Sequence, residues 1–159
     1  MRETFLETPL GFAQIKGDDL GLHSISLLDG IPAQTIEIPA TLREAVDQLN
    51  EYFTGNRQEF TLKLNPKGTP FQKKVWHALL EIPFGKTISY LELSRKLGDV
   101  KAVRAVAAAN GKNPLWIVIP CHRVIGSDGS LTGYAGGLDR KKWLLDHECP
   151  VKQMNLFAD

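Results

Sequence analysis

The chain has 159 residues, of which 43% are hydrophobic and 23% charged, a balance that excludes a disordered or collagen-like protein. Its longest apolar stretch, 115–120, is far shorter than the ~20 residues of a membrane helix, and Met1-Arg2-Glu3 opens no signal-peptide hydrophobic region, so the sequence predicts a cytosolic or nuclear protein with no membrane contact. Two cysteines, Cys121 and Cys149, cannot build a disulfide framework and form no Cys-x-x-Cys pair. The net charge of +1 hides an asymmetry. Residues 1–60 carry 4 Lys+Arg against 10 Asp+Glu, residues 61–159 carry 15 against 8, and the excess is densest over 63–113, with 10 against 3. A polyanion partner is therefore expected for the second half alone.

In chain order, Thr4–Leu10, Gly11–Ile15 and Leu22–Leu28 read as short strands separated by turns at Gly17-Asp18-Asp19 and Asp29-Gly30, an antiparallel meander. A helix follows, with Thr41 as N-cap, Glu44 three residues later, and Leu42, Val46, Leu49 and Phe53 at helical spacing up to Gly55. Phe60–Leu64 alternates like a further strand, and 65–70 reads as a linker. The expected division is an N-terminal α/β domain over 1–65 and a mainly helical domain over 66–159, an α+β architecture.

Beyond the linker the period becomes helical. Phe71, Val75, Ala78 and Leu79 mark a helix stopped by Pro83 and Gly85; Ser89 caps a second, with a core face of Leu91 and Leu93–Leu97 and a stop at Gly98; a third runs from Val100 to Asn110. The last two fit a helix-turn-helix. On the third, Val103, Val106 and Ala107 form the core stripe, whereas Lys101, Arg104, Ala105, Ala108 and Lys112 share the opposite face. Cations among alanines let a backbone approach phosphates but offer few groups that read base edges, so the face fits DNA contact with little sequence preference. The same stripe is also what a merely solvated helix face looks like.

Leu115–Ile119 reads as a buried strand delivering Pro120-Cys121-His122-Arg123-Val124 into a turn. A thiol attacks only as thiolate, so a nucleophilic Cys121 needs a base or a positive field, for which His122 and Arg123 are the candidates. Neighbours on an extended strand point to opposite faces, so His122 would reach Cys121 through a turn or a bridging water. Glu148, in a last helix starting near Asp139, could orient the histidine. A buried cysteine that serves only as a small hydrophobe is the competing reading, and Cys149, before Pro150, is assigned to packing.

Ile119-Pro120-Cys121-His122-Arg123-Val124-Ile125, with Asn113-Pro114 upstream and Gly133-Tyr134-Ala135-Gly136-Gly137-Leu138, Lys142-Trp143-Leu144-Leu145 and His147-Glu148 downstream, resembles the O6-alkylguanine-DNA alkyltransferases, also called methylated-DNA–protein-cysteine methyltransferases. The similarity extends back through Gly85–Tyr90 and Ala102–Val106, covering Phe71–Glu148 well and the N-terminal part loosely.

The resemblance implies that Cys121 irreversibly accepts the alkyl group of O6-methylguanine, and of O4-methylthymine, in DNA. His122 would be its base through a water, Glu148 the orienter of His122, and Asn113 the residue holding the turn. Lys101, Arg104, Ala105 and Arg123 would contact DNA through the minor groove, with Arg104 replacing the extruded nucleotide. Tyr90 would press on the neighbouring phosphate and hydrogen-bond the guanine. Val124, Tyr134, Ala135 and Lys141 would form the base pocket. Position 135 is alanine where some relatives carry serine, and a backbone contact there tolerates the change. The partner would be double-stranded DNA containing O6-alkylguanine, bound by a monomer without a cofactor. Some relatives hold zinc, but His23, His77, His122, His147 and the two cysteines lack ligand spacing, so no metal is expected. Three rivals stand beside this reading. A non-repairing damage-recognition protein would lack the cysteine of the Pro-x-His-Arg position, a thiol hydrolase would turn over, and a sequence-specific transcription factor would not present the bare Ala105/Ala108 face.

Overall fold

The computed structural model describes residues 1–33, 37–129 and 137–149. The chain divides into two compact units, one formed by Met1–Thr69 with Pro114–Val118, the other by Pro70–Asn113 with the chain from Ile119 onward.

In the first unit, β1 (Arg2–Thr8), β2 (Gly11–Asp18) and β3 (Gly21–Leu27) form an antiparallel sheet in the order β1-β2-β3. Short polar side chains close both hairpins. Thr8 Oγ1 donates to the Gly11 carbonyl at 2.6 Å and accepts from the Leu10 N–H, and Asp18 Oδ1 accepts from the Leu20 N–H. The second turn falls later than the Gly17-Asp18-Asp19 expected, because Gly17 and Asp18 still pair with Leu22 and Gly21. Thr4, Ala13, Ile15, Leu22 and Ile25 are buried on the sheet, and α1 (Ala40–Phe53) buries Leu42, Ala45, Val46, Leu49 and Tyr52 at helical spacing.

Thr41 does not cap α1. The helix starts two residues earlier, at Ala40 behind Pro39, whose φ of −61° suits a helix entry, and no side chain caps it. Phe60–Leu64 is not a strand either, since its only pairing is an isolated parallel bridge between Leu22 and Leu64. The Gln48 side chain takes the place of a strand partner, accepting from the Thr61 N–H and donating to Thr61 Oγ1, both at 2.9 Å. The third correction is Leu115–Ile119. All five residues are buried as expected, yet they form turns, with a single bridge from Leu115 to Ile25 and Ile117 at φ 72°. A continuous apolar run reports burial but not extension, and a β-branched residue in the left-handed region persists only when its surroundings enforce it.

In the second unit α2 (Pro70–Leu79) is tied to α4 (Val103–Gly111) by Trp76 Nε1, which donates to the Ala109 carbonyl at 2.8 Å. Between them lie β4 (Ile88–Ser89) and α3 (Tyr90–Lys96), the latter capped by Ser89 Oγ accepting from the Glu92 N–H. Gly98, at φ +90°, turns the chain into a 3-10 segment over Val100–Ala102 that precedes α4. The helix expected from Val100 thus begins with a tighter turn, capped by Asp99 through the Lys101 N–H. The buried face of α3 is Tyr90, Leu93 and Ser94, whereas Leu91, expected inside, is 37% exposed. A second 3-10 turn, Cys121–Arg123, leads into β5 (Val124–Ile125), which pairs in parallel with β4, and α5 (Leu138–Glu148) follows.

Gly21 distinguishes the two costs of a side chain at positive φ. It sits at φ +131° with the Lys63 carbonyl oxygen 2.9 Å from where a Cβ would stand, while Gly30, at φ +95°, has open space. Gly21→Ala is expected to add a backbone collision to the strain, on the order of 1–3 kcal/mol, that Gly30→Ala incurs alone. Urea midpoints measure both; equal losses would contradict the collision.

Candidate active site

Pro120, at ψ 64°, turns the chain into the one-turn helix Cys121–Arg123. With three residues per turn, successive side chains diverge by about 120°, so Cys121, His122 and Arg123 face three directions rather than the two of the expected strand. The turn is held from α4 and the segment that follows it. Asn113 Nδ2 donates to the Ile119 carbonyl at 2.7 Å and Asn110 Nδ2 to the Cys121 carbonyl at 3.4 Å. The pairing of Ile88 with Val124 sets Tyr90 next to this turn, close enough to feel the charge of Cys121.

Glu148, at the end of α5 and 2% exposed, receives both of the other side chains. His122 Nε2 lies 2.7 Å from Oε2; Arg123 Nε donates to Oε1 at 2.7 Å and a terminal guanidinium nitrogen donates to Oε2 at 3.1 Å. Arg123 also donates to the Ile82 carbonyl at 2.7 Å, and its guanidinium lies 5.8 Å from the centre of the Phe84 ring. Burial alone would raise the Glu148 carboxyl, but the hydrogen bonds and charges of His122 and Arg123 outweigh it and hold the group at about 2 against an ordinary 4.5.

A carboxylate so held can only accept, so the His122 proton sits on Nε2 and Nδ1 keeps its lone pair. That Nδ1 is buried and has no hydrogen-bond partner among the described residues. Burial pushes His122 below its usual range, against the pull of Glu148 and with Arg123 and Lys141 adding to the shift, so the ring is neutral at neutral pH. It is built as a proton acceptor.

Burial pushes the Cys121 thiol up, opposed by the Asn113 hydrogen bond and the Lys141 charge. The resting sulfur is therefore a thiol, and the groups favouring its ionised form are Asn113 and Lys141, with His122 one position along the turn. Lys141 is fully buried. Its Nζ donates to the Val124 carbonyl at 2.6 Å and lies 5.7 Å from the centre of the Tyr90 ring, and burial pushes its pKa down.

The structure thus gathers Cys121, His122, Glu148, Asn113, Tyr90, Val124 and Lys141 around one turn. Lys101, Arg104, Ala105, Ala108 and Lys112 are all exposed. Tyr90 and Arg123, also expected to contact DNA, are buried, at 9% and 6% exposure. The Arg123 guanidinium is committed to Glu148 and Ile82, which corrects its assignment to the DNA face. Tyr134 and Ala135 lie outside the described residues. Sequence reasoning missed Asn110, buried on the inner face of α4; only its polarity at a core position marked it. Among the described residues no group of three or more His, Cys, Asp or Glu could hold a metal.

A buried thiol beside a neutral histidine, in the same unit as two packed helices whose outer face is cationic, describes a cysteine protein that works on a polyanion. Comparison with known proteins makes this particular. The chain matches two family models, 6-O-methylguanine DNA methyltransferase, ribonuclease-like domain, over residues 1–66, and 6-O-methylguanine DNA methyltransferase, DNA binding domain, over residues 70–149. The methylated-DNA–protein-cysteine methyltransferase of Methanosarcina barkeri is 51% identical over 148 residues, 90% of this chain and 94% of the relative; that of Methanosarcina acetivorans is 46% identical over 153 residues, 93% and 98%. A crystal structure of Mycobacterium tuberculosis OGT in complex with DNA superposes with a TM-score of 0.85 at 42% identity, covering 99% of each chain. The chain belongs to the methylated-DNA–protein-cysteine methyltransferase family.

The shared carboxylate has a measurable consequence. A folded-state pKa of about 2 against 4.5 gives stability that is present above pH 4.5 and is lost as pH falls through about 2, on the order of 3 kcal/mol. Glu148→Gln should remove that acid-sensitive component and, by leaving the Arg123 charge buried and unpaired, destabilise the fold at pH 7 by roughly 3–5 kcal/mol. Denaturant titrations between pH 2 and 7 check both, and an unchanged pH slope in the variant would contradict the assignment.

Proposed function

We propose that Cys121 Sγ receives the alkyl group from O6 of guanine in double-stranded DNA, once per molecule. The observation that carries this reading is His122 Nδ1, a buried lone pair one residue from the thiol, whose tautomer the Glu148 carboxylate dictates. In the proposed reaction the thiol proton passes to Nδ1 through a bridging water. The thiolate, favoured by Asn113 and Lys141, then attacks the alkyl carbon. A C–S bond forms as the C–O bond breaks, and the electron pair leaves with the guanine, which is restored on protonation. The thioether offers no disulfide sulfur to an attacking thiol, so the protein is spent.

O6 lies within the stack, and displacement at its alkyl carbon requires approach along the C–O axis, so the nucleotide must leave the duplex. Arg104, exposed on α4, would fill the space left, with Lys101 on phosphates and Ala105 and Ala108 allowing close approach in the minor groove. Tyr90, at the start of α3, would hydrogen-bond the extruded base, and Val124 would meet it through its backbone. The resemblance adds Tyr134 and Ala135 to the base pocket, O4-methylthymine to the substrates and action as a monomer to the reading.

Incubation with O6-methylguanine duplex should add one methyl to the peptide containing Cys121, in a burst equal to the protein concentration. Cys121→Ser should abolish the gain while DNA affinity persists, and methyl uptake by that variant would remove the assignment. Arg104→Ala should slow repair in duplex far more than transfer from the free base; equal losses would contradict extrusion. Because burial depresses His122, the acid limb of the rate should be centred below pH 6.5. An acid limb centred above 6.5 would exclude the neutral histidine as base.

A further inference from the structure

We propose that Ile117 is a positioning residue for alkyl transfer, its strained backbone fixing the path by which the chain arrives at Cys121. This rests on the function proposed above and adds to it a residue that touches neither substrate nor reacting atoms.

The Val118 N–H donates to the Trp116 carbonyl at 2.9 Å, and Ile117 between them sits at φ 72°. A hydrogen bond closed across three residues with the central φ near +75° is the rare, strained form of the γ-turn. Further along, the Cys121 N–H donates to the Ile119 carbonyl at 2.8 Å around Pro120, whose φ of −82° and ψ of 64° give the common inverse form. Successive γ-turns thus carry the chain to the nucleophile. The strained one bears a β-branched residue, for which a positive φ is a genuine outlier.

Both ends of the strained turn are held. Upstream, the Ile25 N–H donates to the Pro114 carbonyl at 2.8 Å, the Ile25 carbonyl accepts from the Trp116 N–H at 3.1 Å, and the Phe53 ring lies 6.1 Å from that of Trp116. Downstream, Asn113 Nδ2 holds the Ile119 carbonyl at 2.7 Å. Ile117, 1% exposed, is therefore the bend between two fixed points, and the chain passes from the first compact unit into the second directly after Val118. Glycine would meet the same φ without strain, but it would also be free to take either sign. A buried isoleucine accepts the strain and removes that freedom. Strain of this kind persists only where the surroundings over-determine it, and here it stands four residues before the reacting sulfur.

The test compares methyl transfer from O6-methylguanine duplex by the wild-type protein, Ile117→Ala and Ile117→Gly, at a temperature well below their thermal midpoints, with midpoints and duplex affinity measured alongside. Both variants lose the packed side chain and differ mainly in backbone freedom. Because φ 72° strains alanine and not glycine, the Gly variant is expected to melt at or above the Ala variant, the reverse of the usual order. Its transfer is nonetheless expected to be about tenfold slower than that of the Ala variant, with affinity unchanged. In a merely structural role the rate would follow stability, so a Gly variant that matches or outpaces the Ala variant would overturn the proposal. Should neither variant fold, hydrogen exchange in the wild-type protein decides. The Val118 amide should exchange as slowly as those of the β2–β3 ladder, and exchange at the rate of an open loop would overturn the proposal while the alkyl-acceptor reading stands. Failure of the wild-type protein to take a methyl on Cys121 would overturn both.

Discussion

One carboxylate organises the catalytic half of this protein. Glu148 is buried, ionised and shared between His122 and Arg123, and each bond does something different. The bond to His122 places the imidazole proton on Nε2 and leaves Nδ1 as a base. The bidentate bond to Arg123 supplies the charge that keeps Glu148 ionised, and through the Ile82 carbonyl it anchors the Cys121–Arg123 turn to the segment after α2. A buried ion pair of this kind is weak evidence of net stabilisation but strong evidence of specified geometry, since either partner alone would be an uncompensated charge. The Pro-Cys-His-Arg run therefore has a mechanical reading. One short turn sends its last two side chains to the same carboxylate, while its first, Cys121, makes no contact with it.

A second constraint links this turn to the outer surface. Helix α4 exposes Arg104, Ala105 and Ala108 on one face and buries Val106, Ala109 and Asn110 on the other, and Asn110, together with Asn113 just beyond the helix, reaches the Cys121 segment. One helix therefore carries both the exposed cationic stripe and part of the support of the Cys121 turn. Electrostatics divides the work similarly. Burial keeps the Cys121 thiol neutral, while Asn113 and Lys141 favour its anion. A resting thiol suits a protein that can react only once, because the neutral form is the less reactive toward stray electrophiles.

Much of this was legible in the sequence wherever local chemistry dictates the outcome. Ser89 and Gly98 bound α3, and the cationic stripe of α4 faces outward. Several misreadings trace to tertiary surroundings that local pattern cannot reveal. Thr61 spends its hydrogen bonds on Gln48 and so never joins a sheet, and Ile117 is forced into a left-handed conformation that no propensity would assign. The resemblance puts Arg123 on the DNA face, and only the position of Glu148, 25 residues on, shows otherwise. Asn110 carried no motif at all.

The central claim, that the Glu148 carboxylate fixes His122 as a neutral base, is tested most directly by the nitrogen-15 chemical shifts of the His122 ring at pH 7. The account predicts a protonated Nε2 and an unprotonated, pyridine-like Nδ1, with the midpoint of ring protonation below pH 6.5. A proton on Nδ1, or a doubly protonated ring at neutral pH, would contradict it.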